Sequence, residues 1–187
     1  MTAVATGPEE VWLRGNPRPA LAAAVVFALA ASGTLAAVAL GGGAAWLVRA
    51  VAAAAVVGGL IAALLVVAAS QPRLVRRGDV LRVRLAPLAA HDVPLEIVEC
   101  VFPGSSPLGD AAAPRRVGTV VVRLAERAVA WRERPAYAAW GTWHDGHLVI
   151  DGRWCEPLSL EVTKRLGQRL LEAKREVATA AEPQACR

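Results

Sequence analysis

The chain has 187 residues, with 21 Lys and Arg against 16 Asp and Glu, so its formal net charge is +5. Its three cysteines, Cys100, Cys155 and Cys186, have no paired spacing. This argues against a disulfide framework and favours a reducing compartment. Residues 70–187 are long enough for one small domain, and the apolar stretch before them excludes an ordinary soluble protein.

Two apolar runs, residues 20–40 and 46–69, dominate the N-terminal third of the chain. The first has no charge and would form a helix of about 31 Å, close to the bilayer core of about 30 Å. The second is similar in length and contains a single charge, Arg49. Only Gly41-Gly42-Gly43 and two alanines separate the runs. The sequence therefore predicts a transmembrane hairpin of two helices.

The charges that flank the hairpin predict its orientation. Arg14 and Arg18 precede the first run, Arg73, Arg76 and Arg77 follow the second, and the connecting turn has no charge. The positive-inside rule then places both termini in the cytoplasm. We expect a multi-pass protein of the plasma or inner membrane, with residues 1–19 as a cytoplasmic segment.

Several side chains are expected at the membrane surface. Trp46 and Arg49 lie one turn apart, so they are predicted to anchor the second helix at the interface. Arg73, Arg76 and Arg77 are predicted to face the lipid, where each base contributes about 1 kcal/mol toward anionic headgroups.

Two features of the hairpin have alternative interpretations. Residues 1–39 also resemble a cleaved signal peptide ending at Ala37-Val38-Ala39, in which case 46–69 is a stop-transfer helix. Small residues also recur at four-residue spacing and either pack the hairpin against itself or form a homo-oligomer contact. These residues are Ala28, Ser32, Ala36, Ala55, Gly59 and Ala63.

Residues 70–179 have the alternation that is typical of a mostly-β domain. Strands are predicted at 80–85, 95–102 and 117–124, with 128–133 as the hairpin partner of the last. The Pro-, Gly- and Ser-rich segment 103–116 is predicted to be a long surface loop. Residues 159–179 are predicted to form a helix capped by Ser159, and 180–187 a flexible tail. Its apolar stripe is expected to dock onto the sheet; the stripe is Val162, Leu166, Leu170, Ala173 and Val177.

Two turn signals, Asp145-Gly146 and Asp151-Gly152, predict a three-strand meander of residues 138–144, 147–150 and 153–157. The register places Trp143, Leu148 and Cys155 on one apolar face, so Cys155 is interpreted as a core thiol.

The predicted fold class is α+β: a helical hairpin followed by a curled sheet or barrel with a C-terminal helix. This order of elements is similar to that of pleckstrin-homology-like domains, an analogy of architecture that implies nothing about ligands.

Two candidate sites follow from the predicted meander and its surroundings. His144, His147 and Glu156 would line up on the face opposite Cys155, where they could bind Zn or Fe. The residues of the aromatic cluster are expected to pack in the core, and nucleic acid is not expected as a partner. The cluster consists of Trp131, Tyr137, Trp140, Trp143 and Trp154.

The function expected from the sequence is the tethering of a non-catalytic interaction domain to the bilayer. No cofactor is expected. An unidentified protein partner would bind at the 103–116 loop or at the aromatic cluster. The alternative is a membrane-anchored metal-dependent enzyme that uses His144, His147 and Glu156.

Overall fold

The computed structural model describes residues 9–108, 115–134 and 136–181. They belong to two compact units. One is residues 16–71, called the hairpin here. The other, called the domain, is formed by the chain segments on either side of the hairpin.

The hairpin consists of α1, Arg18–Leu40, and α2, Ala45–Ser70, which confirms the two predicted helices. They are about 34 Å and 39 Å long at 1.5 Å per residue. Both are long and apolar enough to span a membrane. The tight turn between them includes Gly42 at φ +72°, a conformation that favours glycine.

A single glycine brings the two helices of the hairpin into close contact. Gly58 of α2 lies under the ring of Phe27 of α1, where a Cβ atom would collide with the ring. The neighbouring Gly59 faces open space, with nothing within 4 Å of where its Cβ would be. The absence of a side chain at Gly58 therefore lets the backbone of α2 approach the Phe27 ring of α1 closely.

The first sheet contains four antiparallel strands in the order β1-β2-β3-β4. They are Glu9–Leu13, Leu74–Arg77, Val80–Arg84 and Ala90–Pro94. Of these, the sequence predicted only β3. Residues 9–13 thus belong to the domain, rather than to the separate segment expected for 1–19.

The second sheet contains five antiparallel strands in the order β5-β6-β9-β8-β7. They are Val98–Leu108, Arg115–Leu124, Ala136–Ala138, Gly141–His144 and His147–Asp151. The predicted loop 103–116 is wrong in part, because 103–108 continues β5 and 115–116 begin β6; residues 109–114 lie outside the described residues. The predicted strand 128–133 is also wrong, because Val129–Arg132 forms the helical turn α3.

Half of the predicted meander is confirmed. Asp145 and Gly146 both have positive φ, and they pair Trp143 with Leu148 and His144 with His147. The third strand is wrong, since Gly152–Trp154 is a short 3₁₀ turn in which the Asp151 carboxylate accepts from the Arg153 amide at 2.9 Å. The β-branched strand β6 takes its place, so Leu148 faces Val122 instead of Cys155.

One hydrophobic core lies between the two sheets and the C-terminal helix α4, Leu160–Ala181. The Ser159 hydroxyl accepts from the Val162 amide at 3.3 Å, which confirms the predicted cap. Leu166, Leu170 and Ala173 are buried, so the docking of the stripe is confirmed. The described strands form two separate sheets and not a closed barrel, so the barrel alternative is wrong.

Candidate functional site

The hairpin is inserted between two neighbouring strands of the first sheet. β1, before the hairpin, pairs with β2, after it: Glu9 faces Arg77 and Val11 faces Val75. Only residues 14–17 separate β1 from α1, and only residues 71–73 separate α2 from β2. β1 is an integral strand, because its Trp12 and Leu13 are buried in the core.

Arg73, directly after the hairpin, is completely buried. Its guanidinium carbon lies 3.6 Å from the ring centre of Trp140, and its Nε donates to the Trp154 carbonyl at 2.8 Å. Its backbone amide also donates to the Leu13 carbonyl at 2.8 Å. Burial lowers the Arg73 pKa to about 10, so the group is still charged at neutral pH. The expectation that Arg73 faces lipid headgroups is wrong, because its planar cation stacks on an indole instead.

Arg76 and Arg77 have carboxylate partners within the domain. Arg76 Nη1 lies 2.7 Å from Glu176 Oε2 on α4, and Arg77 Nη2 lies 3.1 Å from Glu9 Oε1 on β1. These pairs partly satisfy both cations, so their predicted attraction to headgroups would have to compete with the acidic partners.

Cys155 is buried beside Arg73, which confirms the predicted core thiol. Its Sγ donates to the Asp151 carbonyl at 3.7 Å. Burial raises the pKa of this thiol to about 12, more than the nearby Arg73 cation lowers it. At neutral pH the group is therefore a protonated thiol, not a nucleophilic thiolate.

The predicted metal ligands are not brought together. His144 and His147 face each other at the β8–β9 turn, but His147 pairs across β6 with Arg123, so its predicted facing of Glu156 is wrong. The strand that would have carried Glu156 does not form. In residues 9–108, 115–134 and 136–181, no group of three His, Cys, Asp or Glu side chains suited to a metal ion is found.

Most of the aromatic cluster contributes to packing. Trp140 and Trp143 are buried, and Trp131 stacks on Trp143 with ring centres 6.0 Å apart. Tyr137 is 76% exposed. In the hairpin, Trp46 is exposed in the first turn of α2, close in sequence to the exposed Arg49.

A polar groove of about 330 Å³ between β1 and α4 was not predicted from the sequence; we call it the basic groove. Arg165 and Arg169 project from one face of α4 at four-residue spacing, a signal that helical periodicity could have revealed. Arg14 reaches the groove only because β1 belongs to the domain. Its lining consists of Val11, Trp12, Arg14, Glu156, Arg165 and Arg169.

Two carboxylates hold the basic groove in shape. Glu156 Oε1 accepts from the Arg14 amide at 3.2 Å and from Arg165 Nη2 at 3.1 Å. Glu10 accepts from Trp12 Nε1 at 2.9 Å and lies 3.4 Å from Arg169 Nε. Glu156 thus links the Arg14 backbone, next to β1, to the Arg165 side chain on α4.

Comparison with protein-family models, with curated proteins and with solved structures gives no match. The similarity to pleckstrin-homology-like domains stays an expectation from the order of elements.

Proposed function

We propose that the protein is a multi-pass membrane protein whose hairpin anchors the domain at the cytoplasmic face, where the domain binds a partner and does not catalyse a reaction. The observation that carries this proposal is the pairing of β1 with β2 around the hairpin. It ties both ends of the apolar segment to one folded sheet through linkers of four and three residues. Such linkers span about 14 Å at most, so the domain would stay close to the bilayer surface.

The exposure of large apolar side chains supports insertion of the hairpin into lipid. In the most apolar 18-residue window of each helix, no residue is buried. Leu29 is 70% exposed and Leu64 69% exposed. A continuous apolar surface of this kind is rare on soluble proteins but ordinary for a helix in a bilayer.

The same strand pairing supports a single side of the membrane for both ends of the hairpin and opposes cleavage of a signal peptide. Cleavage after Ala39 would remove β1 and, with it, the buried Trp12 and Leu13. The flanking arginines favour the inside orientation whether or not they are later buried, because the positive-inside rule acts during insertion, before the domain folds.

The protein-binding surface we propose is the far end of the β5–β6 hairpin. β6 pairs with β9 only over residues 119–123, whereas its pairing with β5 continues to residue 115. Residues 105–108 and 115–118 therefore form a two-stranded ribbon. Pro107 lies in the outer strand of this ribbon, where a proline blocks addition of further strands.

Self-association through the small residues of the hairpin is part of the proposal. Ala28, Ser32, Ala55, Gly59 and Ala63 line an open apolar groove of about 620 Å³ on the hairpin. Gly59→Leu is expected to reduce self-association in a crosslinking assay in membranes. If the Gly59→Leu variant crosslinks as much as the wild type, this part of the proposal is wrong.

Fractionation and a fusion test the anchoring proposal. The full-length protein should stay in the membrane pellet after alkaline carbonate extraction, and a reporter fused at its C-terminus should report the cytoplasm. Release by carbonate, or a reporter signal from the other side of the membrane, would overturn the proposal.

A copurification experiment tests the partner surface. A protein that copurifies with the wild type, but not with a variant in which Arg116 and Ser105 on the ribbon are replaced by Glu, would identify the ribbon as that surface.

A further inference from the structure

We propose that the basic groove binds the phosphate of an anionic phospholipid headgroup. This inference rests on the proposed membrane anchoring. It assigns a ligand to a site whose lining includes neither Arg76 nor Arg77. Three guanidinium groups and two carboxylates line or border it, which leaves a net single positive charge. A phosphodiester monoanion would neutralise it.

The guanidinium groups of the basic groove are oriented yet retain free donors. Arg165 uses one nitrogen on Glu156, and Arg169 uses Nη1 on the Val11 carbonyl at 2.8 Å. Among the described residues, no carboxylate lies within salt-bridge distance of the Arg14 guanidinium. Each planar guanidinium carries five N–H donors, so donors remain for an anion whose oxygens match the spacing of two parallel N–H groups.

The covalent chain favours lipid over free phosphate as the source of the anion. Arg14 precedes the first residue of α1 by four positions, so their Cα atoms are at most about 14 Å apart. If α1 spans the bilayer, Arg14 cannot be far from the headgroup layer, which adds about 5–8 Å to each side of the hydrocarbon core. Phospholipid is also present there at a far higher local concentration than a dissolved anion.

Lipid add-back to the full-length protein tests the inference. The delipidated protein in mild detergent is titrated with phosphatidylglycerol or phosphatidylcholine, and bound lipid is counted by native mass spectrometry. We expect preferential binding of phosphatidylglycerol, weakened about tenfold or more in the R14Q/R165Q double variant. The matched control R127Q/R175Q removes two exposed arginines elsewhere in the domain and should change binding less than about twofold.

A variant with gained affinity separates binding from folding damage. Glu156→Gln keeps an oxygen acceptor for Arg14 and Arg165 but removes one negative charge, so it should bind phosphatidylglycerol several-fold tighter. Misfolding cannot produce that gain.

Three results would overturn the proposal: equal affinity for the two lipids, equal losses in the two double variants, or displacement of phosphatidylglycerol by millimolar inorganic phosphate. If these occur while the protein still resists carbonate extraction, the headgroup site fails and the anchoring proposal stands.

Discussion

Leucine occupies opposite environments in the two units of this protein. Leu29 and Leu64 of the hairpin are about 70% exposed, whereas Leu74 and Leu148 of the domain are completely buried. In the hairpin a glycine lies at the close contact between helices, and in the domain large side chains fill the space between sheets. This contrast is the one expected if, as proposed, the hairpin lies in lipid and the domain in water.

Arginine shows the same contrast between neighbouring segments. Arg49 lies exposed on α2, while Arg73, three residues after α2 ends, is buried against Trp140. The domain thus uses a buried cation close to the point where the chain leaves the hairpin. The predictions below separate what each unit contributes, starting with the largest expected effect.

Loss of the Trp12 side chain should damage the domain most. Trp12→Ala removes a fully buried indole from β1 and is expected to cost about 3–5 kcal/mol of unfolding free energy. Thermal unfolding of the purified protein in detergent, followed by near-UV circular dichroism, measures it. Leu88→Ala, at a completely exposed position, is the control and should stay within about 0.5 kcal/mol. A Trp12 variant as stable as this control would mean that β1 is not part of the domain.

Replacement of Arg73 by lysine should destabilise the domain by about 2 kcal/mol, the value of the charged hydrogen bond to the Trp154 carbonyl that it loses. Lysine keeps the charge but cannot stack on Trp140 and donate to the Trp154 carbonyl with one planar group. Arg77→Lys, at a half-buried ion pair, is the matched control and should have little effect. Equal melting temperatures for the two variants would contradict the account of Arg73.

Gly58→Leu should weaken the hairpin by about 1.5 kcal/mol, within the range for overpacked cores, because the new side chain displaces the Phe27 ring. Gly59→Leu, one residue away, meets open space and should leave the hairpin contact intact. Disulfide trapping between cysteines placed in α1 and α2 reports this contact in membranes. Equal trapping in both variants would show that α1 and α2 do not pack through Gly58.

The smallest effect concerns pH. Burial lowers the His91 pKa, with the Arg134 cation as a second cause, so the folded domain binds its proton less readily than the unfolded chain does. Stability should therefore be fully present above about pH 6.5 and fall as the pH drops below it. His91→Gln should flatten this part of the stability curve, measured by melting temperature between about pH 7 and 5. If the melting temperature of His91→Gln falls with pH as steeply as that of the wild type, groups other than His91 cause the pH dependence.

The hairpin could be predicted almost to the residue because its signal is local. Continuous apolarity, an uncharged glycine turn and a proline near each end all act within one helix length. The β8–β9 turn was predictable for the same reason, since Asp145 and Gly146 by themselves determine which residues face each other.

The domain was less predictable because its pairing is distant in sequence. β1 is five residues long, and its partner lies on the other side of the 56-residue hairpin segment, 16–71. Nothing near Arg73 in the sequence signals that its side chain meets Trp140. The choice of β6 over residues 153–157 as neighbour of β9 likewise depends on competition between strands, which a turn motif does not encode.

Impermeant maleimide labelling on both sides of the membrane tests the central claim most directly. With Cys186→Ser present, the exposed Cys100 reports the domain and Ala44→Cys reports the turn between the helices, while the buried Cys155 should stay unlabelled. The account predicts that Cys100 reacts only in inside-out vesicles and that the cysteine at position 44 reacts only in intact cells. Labelling of both positions from the same side would show that the hairpin does not cross the membrane and would contradict the account.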